Sequence, residues 1–167
     1  MSNITYVDKN DRLIGYGPRL EAISKGIIHR IVRIFIYNTR GELLIQKRSL
    51  NIDIPKRWDQ SAAGHVDEGE DYVTAARREL QEEVGIADIR LKKITKFYAE
   101  EIDDSVLKKR FNVLYRATYD GPITFEPEEI SEVKWVSPEE LEKWMQNRPQ
   151  DFTTGFLNSY KQSKLHI

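Results

Sequence analysis

Gly64-His-Val-Asp-Glu-Gly-Glu70 and, seven residues further on, Arg78-Glu-Leu-Gln-Glu-Glu-Val-Gly-Ile86 decide how the rest of the chain is read. From Glu70 to Val84 there is neither Gly nor Pro, while Gly69 precedes the stretch and Gly85 follows it. That pattern predicts a helix closed by a left-handed cap residue. At about 100° per residue, Val73, Ala76, Leu80 and Val84 form one apolar stripe that should face a sheet. Glu79, Glu82 and Glu83 fall beside it, all in the last two turns. A helix C-terminus already carries partial negative charge, so carboxylates there are unfavourable and repel one another. Stability alone would place Lys or Arg at these positions. A divalent cation joining the carboxylates resolves the conflict, because hard ions such as Mg²⁺ take oxygen ligands. For an arbitrary Glu-rich helix the alternative is a solvated acidic face.

Outward from this stretch the pattern alternates strands and helices. Thr5–Asp8 and Arg12–Tyr16 flank a polar tip and predict an N-terminal hairpin. Glu21–Gly26 reads as a brief helical or looped connection, and His29–Tyr37 as a strand apolar enough to be buried on both faces. Asn38–Gly41 turns the chain into a second strand, Glu42–Lys47; a loop over Leu50–Lys56 then leads to a short strand near Asp59–Ala63. Beyond the central helix, Arg90–Glu101 and Phe111–Tyr119 read as strands joined by a charged connection, Asp103–Lys109. Glu126–Glu132 reads as an acidic loop and Lys134–Val136 as a last short strand; Ser137 and Pro138 open a helix as N-cap and first helical residue. The fold class expected is α/β, with helices packed on a mixed sheet.

Composition narrows the function classes. The chain has 167 residues, a size typical of one domain, with 26 Lys and Arg against 27 Asp and Glu. Net charge of −1 argues against wholesale nucleic-acid binding, and 40% hydrophobic residues argue against disorder. Cysteine is absent, which removes disulfides, thiolate metal sites and cysteine nucleophiles together. No segment approaches the ~20 apolar residues that span a bilayer, so a cytoplasmic protein is expected. The neutrality is local compensation: seven acids and two arginines between Asp67 and Glu83 leave the remaining residues at +4.

The two opening stretches satisfy Gly-x5-Glu-x7-Arg-Glu-U-x-Glu-Glu-x-Gly-U, with U aliphatic, at all nine specified positions. This resembles the Nudix box, and at ordinary residue usage a chance match is on the order of one in a billion per start position. The resemblance implies a Nudix fold over residues 1–167, a mixed β-sheet sandwiched between helices (α/β/α), with residues 1–28 as an N-terminal extension. It also implies a pyrophosphohydrolase that cleaves a nucleoside diphosphate linked to another group X, using Mg²⁺ or Mn²⁺. Carried over by motif position, Glu79, Glu82 and Glu83 are the metal ligands, joined by the main-chain carbonyl of Ala63. Arg78 orients the carboxylates, and Glu70 supports the metal site or closes its loop. A general base is expected from the late acidic loop, where Glu126, Glu128, Glu129 and Glu132 are candidates and Glu129 and Glu132 stand nearest the last strand.

Val7-Asp-x3-Arg-Leu-Ile-Gly15, Arg19, His29-Arg30 and Gly64-His65 further resemble the type I isopentenyl diphosphate isomerase subgroup. In that subgroup the histidines matching His29 and His65 bind metal, and an essential cysteine lies just before the Gly-His. Here Ser61-Ala-Ala63 stands in that place, and the isomerase's later catalytic glutamates have no match around Lys108–Val113. A hydrolase on an isomerase-like branch is therefore the expectation; an isomerase, a prenyl diphosphate hydrolase and a non-catalytic nucleotide-binding module are the alternatives. For the substrate, Lys47, Arg48 and Arg57 are candidate phosphate partners, Arg48 foremost for its planar fork, and Trp58, Phe97 or Tyr98 could stack on a base. The expected partner is a small diphosphate molecule, with neither nucleic acid nor membrane, and a homodimer is the assembly considered.

Overall fold

The structure is a computed structural model that describes residues 2–166. Its elements run β1 (Ile4–Val7), β2 (Leu13–Gly17), α1 (Arg19–Lys25), β3 (His29–Tyr37), β4 (Leu43–Arg48), β5 (Trp58–Asp59), β6 (Ala62–His65) and α2 (Tyr72–Val84). They continue as β7 (Lys92–Asp103), β8 (Val106–Thr118), β9 (Ile130–Val136), α3 (Pro138–Asn147), a 3₁₀ turn (Pro149–Asp151) and α4 (Thr154–Leu165).

β3 is the hub of the mixed sheet. Along one edge it pairs in parallel with β8 from His29↔Arg110 to Tyr37↔Thr118. Its other edge is shared by three antiparallel partners: β1 at Tyr6↔His29, β6 over Ile31–Ile34, and β4 at Tyr37↔Leu43. After that single pair β4 leaves β3 and pairs instead with β5 and β9. A cavity is lined from both of these branches.

Helices cover both faces, each over its own core. On one side α2 packs Ala75, Ala76, Leu80 and Val84 against Val32, Ile34, Ile36, Leu44 and Val113. On the other, Phe35, Leu43, Ile45 and Leu114 meet Leu141 of α3 and Phe156 and Tyr160 of α4. Alternate residues of β3 feed the two cores, as strand geometry requires, and each buried Leu or Ile contributes about 1.5–3 kcal/mol.

Three expectations change. The helix begins at Tyr72 rather than Glu70, because Asp71 caps it by accepting from the Thr74 N–H at 2.8 Å. Val73 drops out of the apolar stripe: it is 37% exposed, and Ala75 takes the inner position. The charged segment 103–109 is not a loose connection. β7 and β8 continue to a two-residue turn, Asp104-Ser105, with φ of 49° and 68°. Glu100↔Lys109 and Glu101↔Lys108 stand opposite one another in register, and Arg110 donates to Glu101 at 3.0 Å, so the charges belong to a paired ladder where hydropathy alone suggested a loop.

Gly85 ends α2 at φ 70°, with its N–H on the Gln81 carbonyl at 3.1 Å. The hairpin expected at the N-terminus is present as β1 and β2. It is tied to the rest of the molecule through Asp11, which accepts from Arg30 Nε at 2.7 Å, Lys96 Nζ at 2.9 Å and the Tyr72 hydroxyl at 2.9 Å.

Candidate active site

The box folds as strand β6, a loop and helix α2, so that Gly64 on the strand faces Glu79 on the helix. A Cβ at residue 64 would overlap the Glu79 carboxyl group. One turn later Glu83 is 6% exposed and accepts from Gln46 Nε2 and from the Ala63 N–H, both at 3.1 Å. These partners are neutral dipoles. Burial, with the neighbouring Glu79, therefore pushes the Glu83 carboxyl well above its ordinary range. Glu79 is pushed up to about 7, also by burial first, against the opposing pull of Arg78.

Arg78 ties the loop to the helix. Its Nε and Nη2 donate to the two oxygens of Glu70 at 2.8 and 2.9 Å, and Nη2 also reaches the His65 carbonyl at 3.0 Å. Nη1 donates to Glu79 at 2.7 Å and to Glu82 at 3.2 Å. Glu70 further accepts from the Asp67 N–H at 2.9 Å, so both its oxygens are engaged in closing the loop.

A cavity of about 240 Å³ lies against these groups. Its lining includes Ala63, Gly64, His65, Glu79, Glu83 and Gln46, with Glu129 at the rim. The Glu129 carboxyl is raised by burial and by the nearby Glu82 and Glu126. Arg48 also lines it, held by Asp53 at 2.7 Å and Asp59 at 3.3 Å. His65 of the lining and His29 lie with ring centroids 5.4 Å apart. His29 Nδ1 is 3.0 Å from the Ile27 carbonyl, which can only accept, so Nδ1 carries the proton and Nε2 presents a lone pair with no protein partner among the described residues. Burial lowers His29 to about 4 and His65 well below its usual range, leaving both rings neutral at pH 7.

Other residues singled out in the sequence lie elsewhere. Glu132 stands on β9 opposite Lys47, in a strand rather than the acidic loop, and is exposed. It does not line the cavity, and neither does Lys47, whose ammonium sits 5.9 Å from the centre of the Trp58 ring. Strand alternation explains this: Gln46 and Arg48 face the cavity, so Lys47 points the other way. Arg57 does not line it, but pairs at 3.6 Å with Asp103, which does, and at 3.2 Å with Asp104. Trp58 is buried against Trp144 in the core under α3 and α4, which removes it as a stacking surface. Tyr98 packs on Phe111 and bonds to Glu100, and neither it nor Phe97 reaches the cavity.

Arg19, quoted only as part of the isomerase-like pattern, lines the cavity too, as do Gln46, Arg33, Asp53, Lys108 and Arg110, which were not singled out. The signal for the last two was available: Lys108, Arg110 and Asn112 alternate along β8, which brings polar groups to one side of a buried strand.

The NUDIX domain profile matches residues 27–156, most of the chain. The chain belongs to the NUDIX family. Over 137 residues it is 37% identical to an uncharacterised Nudix hydrolase of Pseudomonas aeruginosa, covering 81% of this chain and 79% of that protein. Over 157 residues it is 31% identical to an isopentenyl-diphosphate Delta-isomerase of Serratia proteamaculans, covering 93% and 87%. A crystal structure of a Deinococcus radiodurans protein superposes with a TM-score of 0.72 at 25% identity, covering 87% and 89%.

No group of three or more His, Asp or Glu side chains is pre-assembled around a metal position among the described residues. The donors nevertheless suit a hard divalent cation. Glu83 is a buried carboxylate with no cationic partner, Glu79 beside it is only partly neutralised by Arg78, and both lie on the cavity. Two such anions side by side are costly unless a cation joins them. Among the described residues no helix is long and apolar enough to cross a membrane.

Proposed function

We propose that this protein is a Mg²⁺- or Mn²⁺-dependent pyrophosphohydrolase that cleaves the diphosphate linkage of a small nucleoside diphosphate derivative in the cytoplasm. The observation that carries the reading is the pair of half-buried Glu79 and buried Glu83 on the cavity wall, with Glu83 lacking any cationic partner among the described residues. Glu79 and Glu83 would hold the metal, with Glu82 and the Ala63 carbonyl beside them. When bound, the cation would neutralise diphosphate oxygens and lower the pKa of a coordinated water.

The chain's own groups supply the remainder. Gln46 and the Ala63 N–H fix both oxygens of Glu83. Arg78 fixes Glu79 through a guanidinium itself held by Glu70, which makes Glu70 a support rather than a ligand. Glu129, which lines the cavity and whose carboxyl is raised, would take a proton from the attacking water. Arg48 offers a guanidinium to a phosphate oxygen.

The test is a panel of nucleoside di- and triphosphates, dinucleoside polyphosphates, sugar nucleotides and prenyl diphosphates, assayed with Mg²⁺, with Mn²⁺ and with EDTA. Metal-dependent release of a phosphate product supports the reading; silence across the panel overturns it.

A second reading, prenyl diphosphate isomerisation, is favoured by the similarity to the Serratia enzyme and by the paired His29 and His65. Against it stand the absence of cysteine and the cationic Lys108 and Arg110 on the cavity wall. Deuterium incorporation from D₂O into isopentenyl diphosphate separates the two.

A further inference from the structure

Five cationic side chains line the cavity: Arg19, Arg33, Arg48, Lys108 and Arg110. They share three carboxylates. Asp53 serves Arg19, Arg48 and Lys108; Asp59 serves Arg48 again; Glu101 serves Arg33 and Arg110. Asp103, which also lines the cavity, is engaged by Arg57 and Thr154, so the five cations outnumber the carboxylates that partner them, where unpaired charge is costly. Arg33 and Arg110 are only 3% and 6% exposed.

Their hydrogen bonds are also incomplete. Arg33 Nη2, Arg110 Nε and Arg19 Nε have no acceptor among the described residues; Glu101 stands 3.6 Å from Arg33 Nη2, too far for a hydrogen bond. Buried N–H donors without acceptors are rare in native proteins and costly to maintain. Burial, together with Arg33, lowers Arg110 to about 10. Oxygen atoms of a bound anion would complete these donors and offset the surplus.

This cationic wall is distinct from the carboxylate end. β8, which carries Lys108 and Arg110, and β6, whose Gly64 faces Glu79, pair with opposite edges of β3. A ligand whose scissile linkage sits at Glu79 and Glu83 would therefore carry its remaining part towards β8.

We propose that Lys108 and Arg110, flanked by Arg19 and Arg33, form a subsite for a second anionic group of the ligand, a phosphoryl group on the X side, and that Asp53 is the internal carboxylate which this group displaces. The inference rests on the diphosphate reading only in placing the scissile linkage at the Glu79–Glu83 end. It narrows the substrate to compounds anionic at both ends.

Asp53 suits the part of resident competitor. Its carboxylate accepts from Lys108 Nζ at 3.0 Å and from Arg48 Nη2 at 2.7 Å, the kind of contacts a phosphate oxygen would make. The Asp53 side chain is exposed on the loop between β4 and β5, so it can turn away to solvent while its buried neighbour Ile54 stays in place.

The test is calorimetric titration of inorganic phosphate into the full chain in EDTA at pH 7 and low salt, where no turnover is needed. Replacing the competitor in Asp53→Asn should tighten phosphate binding about tenfold over the parent chain. Adding Lys108→Gln in the same background should abolish that gain while circular dichroism shows a retained fold. The gain in Asp53→Asn cannot come from a misfolded protein. Equal or weaker binding in Asp53→Asn overturns the proposal, as does a gain that survives Lys108→Gln. Because EDTA removes the hydrolase chemistry, failure of the substrate panel and failure of this titration are separate results.

Discussion

The carboxyl group of Glu79 occupies the space that any side chain at residue 64 would need. β6 and α2 approach so closely there that only glycine leaves room for the carboxylate on the cavity wall. Gly64→Ala should displace Glu79 and lower kcat on the order of 10²-fold, as expected for misplacing an active-site group by about 1 Å. Steady-state kinetics beside a melting curve would check this, since activity should fall much further than stability.

Glu129 and Glu132 are three residues apart, but only Glu129 lines the cavity. Glu129→Gln should cost about 10²–10⁴ in kcat, the usual contribution of a general base. Glu132→Gln should stay close to the parent. The acidic limb of the pH–rate profile provides a second check: a base must be ionised, so activity falls as pH drops below its raised pKa. That limb should vanish in Glu129→Gln.

Arg78 joins Glu70, Glu79, Glu82 and the His65 carbonyl. Arg78→Met leaves those acids without their cation, and partial exposure of the pair moderates the cost to about 1–3 kcal/mol. Chemical denaturation measures it directly. Arg78→Lys should recover only part of the loss, because a single ammonium cannot reproduce the two-pronged contact with Glu70.

His29 sets a stability limit on the acid side. Its folded pKa, lowered by burial to about 4, lies below the ordinary value of 6.5. A lowered pKa means that the unfolded chain binds the proton more readily. The stabilisation is therefore fully present above pH 6.5 and is lost as pH falls towards 4. Melting temperatures across that window should drop for the parent chain and drop less for His29→Gln.

Much of the architecture could be read because its causes are local. Gly85 and the Ala76-x3-Leu80-x3-Val84 spacing specify α2 and most of its buried face within ten residues, whereas the Asp71 cap and the inner Ala75 emerged only in the structure. Ser137 and Pro138 do the same for α3. The candidate site was legible where one motif carries it, as with Glu79, Glu83 and Arg78. It was not where distant segments meet: Gln46 reaches Glu83 across 37 positions, and Arg33 bonds to Asn112 across 79. Lys47, Trp58 and Glu132 were misplaced for a related reason. One residue of register in a strand reverses the face, and register depends on pairing that a linear pattern does not contain.

The most direct measurement of the central claim is product analysis in ¹⁸O-labelled water with Mg²⁺ present. For the substrate that turns over, the account expects one ¹⁸O atom in a single phosphate product, with labelling abolished by EDTA and reduced by orders of magnitude in Glu83→Gln. Product that forms without ¹⁸O, or that forms equally in EDTA, would contradict it.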